Sequence, residues 1–454
     1  MTWMLSDIAK MTGGKLHGAD VEIDSFATDS RAVNSDQLFI AIKGERFDAH
    51  DFVAALDGIA GAALVSELVE CNLPQVLVTD TRAALASFAA AWRQQFKKPL
   101  VGLTGSNGKT TVKEMLSAIL SQKGSVLATL GNLNNDLGMP LTLLRLRDEH
   151  DYAVIEMGAN HFGEIKFLTG ISRPDVAILN NAGAAHLEGF GSIEGVSRAK
   201  AEIFLGLDES GVAIINADDQ YADYWKGCNV GREIISFGMD NAATVQGKVS
   251  PTGMLVLSTE DESVEITLSL LGNHNARNAL AAASAAIAVG ASLADIKAGL
   301  ETLQPVKGRL ASVPGQHGTR VIDDTYNANP TSAAAAVDVL AGFTAGERVL
   351  VLGDMGELGD DVLELHRHIG EYAREKNIDQ LFCLGKFTEE SAKAFGERAE
   401  FFTELEPLLD SLKQQLKNNM TLLVKGSRGM RMERVVEALQ QEIATHDQKE
   451  ASTC

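Results

Sequence analysis

The chain has 454 residues, 45% hydrophobic and 22% charged, ordinary values for a globular protein with room for about three domains. Its net charge of −21 excludes a nucleic-acid-coating protein, so an anionic ligand has to be held by a local site. There is no apolar run of membrane-spanning length and no secretory signal pattern, and Cys71, Cys228, Cys383 and Cys454 form no metal knuckle, which suits a cytoplasmic protein without stable membrane insertion.

Residues 1–83 read as a small mixed α/β unit. A short helix ends at Gly13-Gly14, strand-like alternation covers 21–26, and a strand follows at 38–42. A second helix follows His50, and strands are expected at 62–66 and 75–79. The helix 81–96 carries the chain to Pro99, so the first boundary falls along it. From there strands at 100–103, 152–155, 176–180 and 212–216 alternate with helices, as a doubly wound sheet requires. Past Ile234, the runs 254–258 and 264–268 suggest a small antiparallel appendage, and a helix from near Asn275 stops at Gly290.

A third, Rossmann-like layer starts near Thr319. Its strands are expected at 321–322, 348–352, 380–384 and 422–424, and its helices at 332–340, 362–375 and 432–443. A polar tail, 446–454, is expected to fray. The fold class is α/β in three domains, 1–83, 84–314 and 315–454.

Gly105-Ser106-Asn107-Gly108-Lys109-Thr110-Thr111 follows the apolar run 99–103 and opens a helix with Val112, Met115, Leu116, Ile119 and Leu120 on one face. Strand, glycine-rich turn and amphipathic helix together aim backbone N–H groups at a phosphate chain. Lys109 can reach the outer phosphates and Thr110 can offer a hydroxyl to Mg²⁺. The usual motif has a glycine six residues before the lysine; here that residue is Leu103, so the loop is a compact variant. The plainer alternative is a glycine-rich turn without a ligand.

Mg²⁺ takes oxygen ligands, and Glu156 closes the strand 152–155 at the sheet edge where such ligands gather. His186 follows the strand 176–180 and is either a ligand or a solvated loop residue. Lys200 shares a helical face with Ile193, Val196, Ile203, Phe204 and Leu207. A lysine there snorkels, finds an anion or loses its proton, and a neutral lysine can react with carbon dioxide to give an anionic carbamate. Asn275 and Asn278 flank a helix start, where they cap it or read a purine edge. Arg309 could neutralise a transferring phosphoryl group or be a plain loop arginine. Asp324, in Asp323-Asp324, could bond a ribose hydroxyl or cap the next turn.

Together these motifs resemble the Mur ligase family, the ATP-dependent amino-acid and peptide ligases of peptidoglycan precursor synthesis, over essentially the whole chain. The resemblance rests on the loop 104–110, Glu156, His186, Lys200, the stretch 272–278, Arg309 and Asp324. It implies a uridine-nucleotide domain, a central ATPase and a C-terminal domain that closes with the incoming amine. By position it implies two Mg²⁺ sites, one on Thr110 and Glu156 and a second on His186, with Lys200 carbamylated as a further metal ligand. Gly105 to Thr111, Asn275, Arg309 and Asp324 would contact ATP, and Lys109, Glu156, His186, Lys200 and Arg309 would serve catalysis.

Further segments, 29–31, 38–50, 131–136, 323–329, 353–359 and 424–428, resemble the branch that joins D-alanyl-D-alanine to UDP-N-acetylmuramoyl-tripeptide. The Asp-Asn-Pro-Arg signature of the diaminopimelate-adding branch is absent. Substrate-binding residues implied this way are Ser30, Arg31, Lys43, His50 and Asn135, with Asp354, Glu357, Lys425 and Ser427 for the dipeptide. A monomer is expected. Two rivals remain, a folylpolyglutamate synthase-like ligase and a phosphate-loop kinase or nucleotide switch.

Overall fold

The computed structural model describes residues 2–44 and 47–441; the tail 446–454, Cys454 and the last two residues of the expected helix 432–443 lie outside them. The described chain divides into two compact units. One comprises the residues up to Ala182 with Ser197–Thr267 and Ala276–Thr302. The other comprises Gly183–Val196, Leu268–Asn275 and the residues from Leu303 on.

The first unit contains two sheets. The N-terminal one has the order Lys15–His17, Gln75–Leu77, Ala62–Val65, Gln37–Ile40, Ser25–Ala27, parallel except for its first pair. The run 21–26 is two short pieces: Glu22–Ile23 pairs with Trp3–Met4, and Ser25–Ala27 joins the sheet. The helix expected after His50 is a 3₁₀ segment, Ala49–Leu56, whose first turn is held by the Asp48 side chain on the His50 N–H. Helix Leu5–Thr12 ends at Gly13 with φ +65°, a conformation that costs a residue without Cβ little.

Helix Thr81–Arg93 serves both sheets. Its Phe88 and Trp92 pack against Trp3, with Phe26 beside them, at ring-centroid distances of 4.7–6.0 Å. The Arg147 guanidinium stacks 4.8 Å from the Trp3 ring and donates to the Asp24 carbonyl. An aromatic cluster of this kind joins the N-terminal layer to the next one, which is why no linker composition marks a boundary near residue 83.

The second sheet runs Ser263–Ile266, Leu255–Ser258, Val245–Val249, Glu233–Gly238, Val212–Asn216, Val176–Leu179, Leu100–Thr104, Tyr152–Glu156, Val126–Ala128. Its inner strands are buried on both faces, so they read as unbroken apolar runs. Pairing is parallel up to Val245–Val249, where it becomes antiparallel. The antiparallel runs are therefore the far edge of the central sheet. Register places Glu156 opposite Leu103 on one side of the central strand and Leu179 opposite Thr104 on the other. The residues that follow those strands are thereby delivered to the two flanks of the glycine-rich loop.

The second unit holds a six-stranded sheet, Ala311–Pro314, Arg320–Asp324, Thr421–Lys425, Arg348–Gly353, Gln380–Leu384, Ala399–Phe402, antiparallel only at its first pair. Period two divides its side chains. Ile322, Leu350, Leu352, Leu381 and Leu423 enter one core, while Val321, Val349, Val351, Phe382, Leu422 and Val424 enter the other. Helices Pro330–Ala341 and Val362–Glu375 supply the first core, and Leu405–Gln415 and Glu433–Leu439 the second, so the sheet is covered on both faces. Among the described residues no helix is long and apolar enough to cross a membrane, and Cys71, Cys228 and Cys383 are free thiols.

Candidate active site

Strand Leu100–Thr104 runs through four loop residues into helix Lys109–Leu120. Gly108 has φ +79°, and a Cβ there would collide with the side-chain oxygen of Asn278, so the turn requires glycine. The Lys109 ammonium folds back over the loop onto the carbonyls of Gly105 at 2.7 Å and Ser106 at 3.3 Å. The N–H groups of Ser106 and Asn107 are taken by Asn181, through its carbonyl and its side-chain oxygen. The first helical turn, Lys109 to Thr111, lies next in the chain, where helix geometry directs N–H groups towards the helix N-terminus.

Thr110 Oγ1 donates to Glu156 Oε2 at 2.9 Å, and Asn134 Nδ2 donates to Oε1 at 2.8 Å. The Glu156 carboxylate is 1% exposed, and these two side-chain partners are neutral. A buried carboxylate held by neutral donors favours a cation, and a carboxylate with a hydroxyl is the hard-oxygen set that Mg²⁺ prefers. Asn135, expected at the substrate site, holds a local turn. Its Oδ1 accepts the Gly138 N–H at the start of helix Gly138–Leu143, and it is the neighbouring Asn134 that reaches Glu156.

Lys200 is fully buried, so it does not snorkel to water. Its Nζ donates to the Ala159 carbonyl at 3.2 Å. Burial, reinforced by the Lys109 charge and partly opposed by Glu164 and Glu202, brings its pKa down to about 7. Lowering the pKa raises the share of neutral amine, the form that reacts with carbon dioxide.

In the second unit the carboxyl ends of parallel strands bring Asp324 and Lys425 into register, with Nζ 2.6 Å from Asp324 Oδ2 and 2.9 Å from the Asn327 carbonyl. Asp323 is the turn-capping member of the acidic pair: it accepts the Gly308 N–H and both the N–H and hydroxyl of Thr325. Arg309 stacks 4.2 Å from the Tyr326 ring, and its charge acts on Asp324, so these residues share one end of the sheet. Lys425, expected at the dipeptide site, is committed to Asp324. Asn275 lies inside helix Asn273–Ala288 and does not cap it, with Nδ2 on the Leu271 carbonyl at 2.7 Å.

Asp354 is also spent on structure. Its carboxylate accepts the N–H groups of Lys386, Phe387 and Thr388, capping helix Thr388–Phe395. A hydrogen bond from the His186 ring to the Glu357 carboxylate lowers the glutamate's pKa. Both have positive φ, +54° at His186 and +60° at Glu357, the left-handed region that non-glycine residues enter at some cost. His186, expected as a metal ligand, is thus engaged by a carboxylate. Ser427 packs beside Gly356, and its N–H bonds the Asp354 carbonyl.

Residues 103–286 match the Mur ligase middle domain and residues 308–428 the Mur ligase glutamate ligase domain. Over 445 residues the chain is 47% identical to the UDP-N-acetylmuramoyl-tripeptide–D-alanyl-D-alanine ligase of Escherichia coli, covering 96% of this chain and 98% of that one. The chain belongs to the Mur ligase family. Among solved structures, this Mur ligase superposes on MurF from Acinetobacter baumannii with a TM-score of 0.91 at 38% identity, covering 96% and 98% of the two chains. It superposes on MurF from Thermotoga maritima in complex with ADP with a TM-score of 0.81 at 30% identity, covering 91% and 96%.

In the N-terminal layer of this Mur ligase, Arg31 and Lys43 are exposed cations, paired with Asp29 and Asp48, and Ser30 sits in the turn beside Arg31. His50 does not join them at the surface. It is buried, with Nδ1 2.6 Å from Asp48 and Nε2 accepting the Ser66 N–H at 2.9 Å. That fixes the tautomer with the proton on Nδ1 and gives His50 the task of steadying the carboxylate that holds Lys43. Sequence reading missed Asn134, Asn180, Asn181 and Lys113. The buried Lys113 ammonium bonds the Thr129 carbonyl at 2.7 Å, and the Thr129 hydroxyl accepts the Glu156 N–H. A charged residue on the buried face of the helix was the available signal for Lys113.

Proposed function

We propose that this Mur ligase uses ATP to join UDP-N-acetylmuramoyl-tripeptide to D-alanyl-D-alanine, releasing ADP and phosphate. The observation that carries the reading is the Thr110–Glu156 pair beside the Gly105–Lys109 loop, in a chain that aligns nearly end to end with ligases of that activity. The N-terminal, central and C-terminal sheets take the uridine nucleotide, ATP and the dipeptide respectively, the third segment beginning with strand Ala311–Pro314 rather than at 315. The protein works as a monomer in the cytoplasm.

A carboxylate oxygen of the tripeptide attacks the γ-phosphorus of ATP, the bond to the β-phosphate oxygen breaks, and ADP leaves. Two anions must approach, so Lys109 and Arg309 offset their repulsion and stabilise the charge on the equatorial oxygens. Thr110 and Glu156 hold one magnesium ion, which when bound supplies further charge neutralisation on the phosphates; His186 belongs to a second site. The dipeptide amine then attacks the acyl carbon, the carbon–oxygen bond to phosphate breaks, and the amine loses a proton as the amide forms. Acyl phosphates hydrolyse readily, so closure of the C-terminal domain serves to exclude water as well as to deliver the amine.

Lys200 acts as its carbamate. Its burial and lowered pKa support this, because carbamylation replaces a costly buried ammonium with an anion beside Lys109. Arg31 and Lys43 contact the uridine nucleotide's phosphates, and Glu357 and Ser427 face the dipeptide.

The test offers purified protein ATP, the UDP-linked tripeptide and a panel of amines, with products weighed by mass spectrometry. Phosphate release requiring both the carboxylate and D-alanyl-D-alanine is expected. Glutamate addition to a folate would instead favour the folylpolyglutamate synthase-like reading, and release independent of any amine a kinase or switch.

A further inference from the structure

We propose that Asn181 is a positioning residue that holds the phosphate loop in its nucleotide-ready shape before any nucleotide arrives. The inference rests on reading residues 105–111 as the nucleotide site and adds the device that keeps that site formed.

Two neighbouring asparagines hold the loop from the end of the adjacent strand. Asn181 grips Asn107 at both ends of its backbone, its Oδ1 accepting the Asn107 N–H at 2.9 Å and its Nδ2 donating to the Asn107 carbonyl at 3.1 Å. Its own carbonyl accepts the Ser106 N–H at 3.0 Å. Asn180, 1% exposed, adds Nδ2 to the same Asn107 carbonyl at 3.0 Å and to Asn278 Oδ1 at 2.9 Å. Asn180 is in turn anchored, its N–H on the Thr104 carbonyl and its carbonyl on Asn216 Nδ2.

Short loops with positive-φ glycines have many alternative shapes, and each lost alternative has to be met by a contact. Asn181 supplies three such contacts to two consecutive residues. It also sets the Ser106 orientation on which the carbonyl contact to Lys109 depends. Without the clamp, the competent loop becomes one member of an ensemble and apparent ATP affinity falls by its population.

The experiment uses the full chain and compares wild type with Asn181→Ala and Asn181→Asp. Hydrogen exchange is followed in nucleotide-free protein, and ATP binding by calorimetry. In Asn181→Ala, amides of 105–108 should exchange about ten-fold faster with the strand amides of 100–104 and 176–179 unchanged, ATP affinity should fall about ten-fold, and KM for the uridine-nucleotide substrate should move less than two-fold. Asn181→Asp keeps the acceptor for Asn107 N–H and should restore most of that amide's protection. Unchanged exchange at 105–108, or acceleration spread evenly over the sheet, overturns the proposal. If Asn181→Ala fails to fold, the Asp variant alone decides: it keeps the acceptor for the Asn107 N–H but loses the donor to the Asn107 carbonyl, so the Asn107 amide should stay near wild-type protection while the amides of 105, 106 and 108 exchange faster, and unchanged exchange at those three rejects the clamp. Exchange is read without ATP, so a wild type that takes up no nucleotide would defeat the proposed function and leave this outcome separately legible.

Discussion

The hydroxyl of Thr110 meets the carboxylate of Glu156 at 2.9 Å, joining residues 46 positions apart at the mouth of two adjacent parallel strands. One residue begins the phosphate-loop helix and the other ends the neighbouring strand. Their meeting places a hydroxyl and a carboxylate together, the oxygen donor set on which the proposed magnesium site rests.

Glu156→Gln keeps the size of the side chain and one acceptor but removes the charge. Turnover should fall 100-fold or more with a raised Mg²⁺ requirement, as about 10- to 100-fold follows even from loss of a ligand's support. Phosphate release titrated against Mg²⁺ measures it, and an unchanged Mg²⁺ curve would remove Glu156 from the cation site.

Lys200→Ala should be nearly inactive and regain part of its turnover with added short carboxylates. In wild type, ¹³C-labelled bicarbonate at pH 8 should give a carbamate resonance absent from the variant. Normal activity of the variant in carbonate-free buffer would end the carbamate idea.

The same lysine predicts a pH trend in stability. Its folded pKa, about 7, lies below the ordinary 10.5, so between those values the unfolded chain binds a proton that the folded one has released. Stability from this group is complete above 10.5 and is lost as pH falls to 7. In carbon-dioxide-free buffer, the melting temperature of wild type relative to Lys200→Met should therefore rise from pH 7 towards pH 10; a flat difference contradicts the assignment.

Asp354 and Glu357 should separate cleanly. Asp354→Ala uncaps helix Thr388–Phe395 and should lower stability by about 1–2 kcal/mol in urea unfolding. Glu357→Gln weakens the hydrogen bond to His186 at a side chain more than half exposed, for under about 1 kcal/mol, while raising KM for the dipeptide by ten-fold or more. Equal stability losses would contradict the division of labour.

Arg93 is a structural counterpart to these site residues. Its buried guanidinium bonds the carbonyls of Ser172, Phe96 and Arg173 and the carboxylate of Asp175. Arg93→Ala should cost about 1–3 kcal/mol in urea unfolding, since it removes a buried side chain with several hydrogen bonds and strands the buried Ser172 carbonyl, with ligation kinetics unchanged at low temperature.

Local chemistry alone determined the strand, glycine turn and helix around Lys109, the apolar face that Lys200 shares and the α/β rhythm of the later chain. Those features depend on residues within one or two turns of each other, where period and turn chemistry are decisive. Tertiary structure decided which of two adjacent asparagines faces Glu156, that Asp354 and His50 are holding residues, that Lys425 belongs to Asp324, and that the antiparallel strands finish the central sheet. A polar side chain carries no mark of its partner, and the partners here arrive from strands tens of residues away, set beside it only by sheet register. Short strands such as Ala399–Phe402 escaped for the same reason, because four residues hold too little pattern and form through the neighbour they pair with.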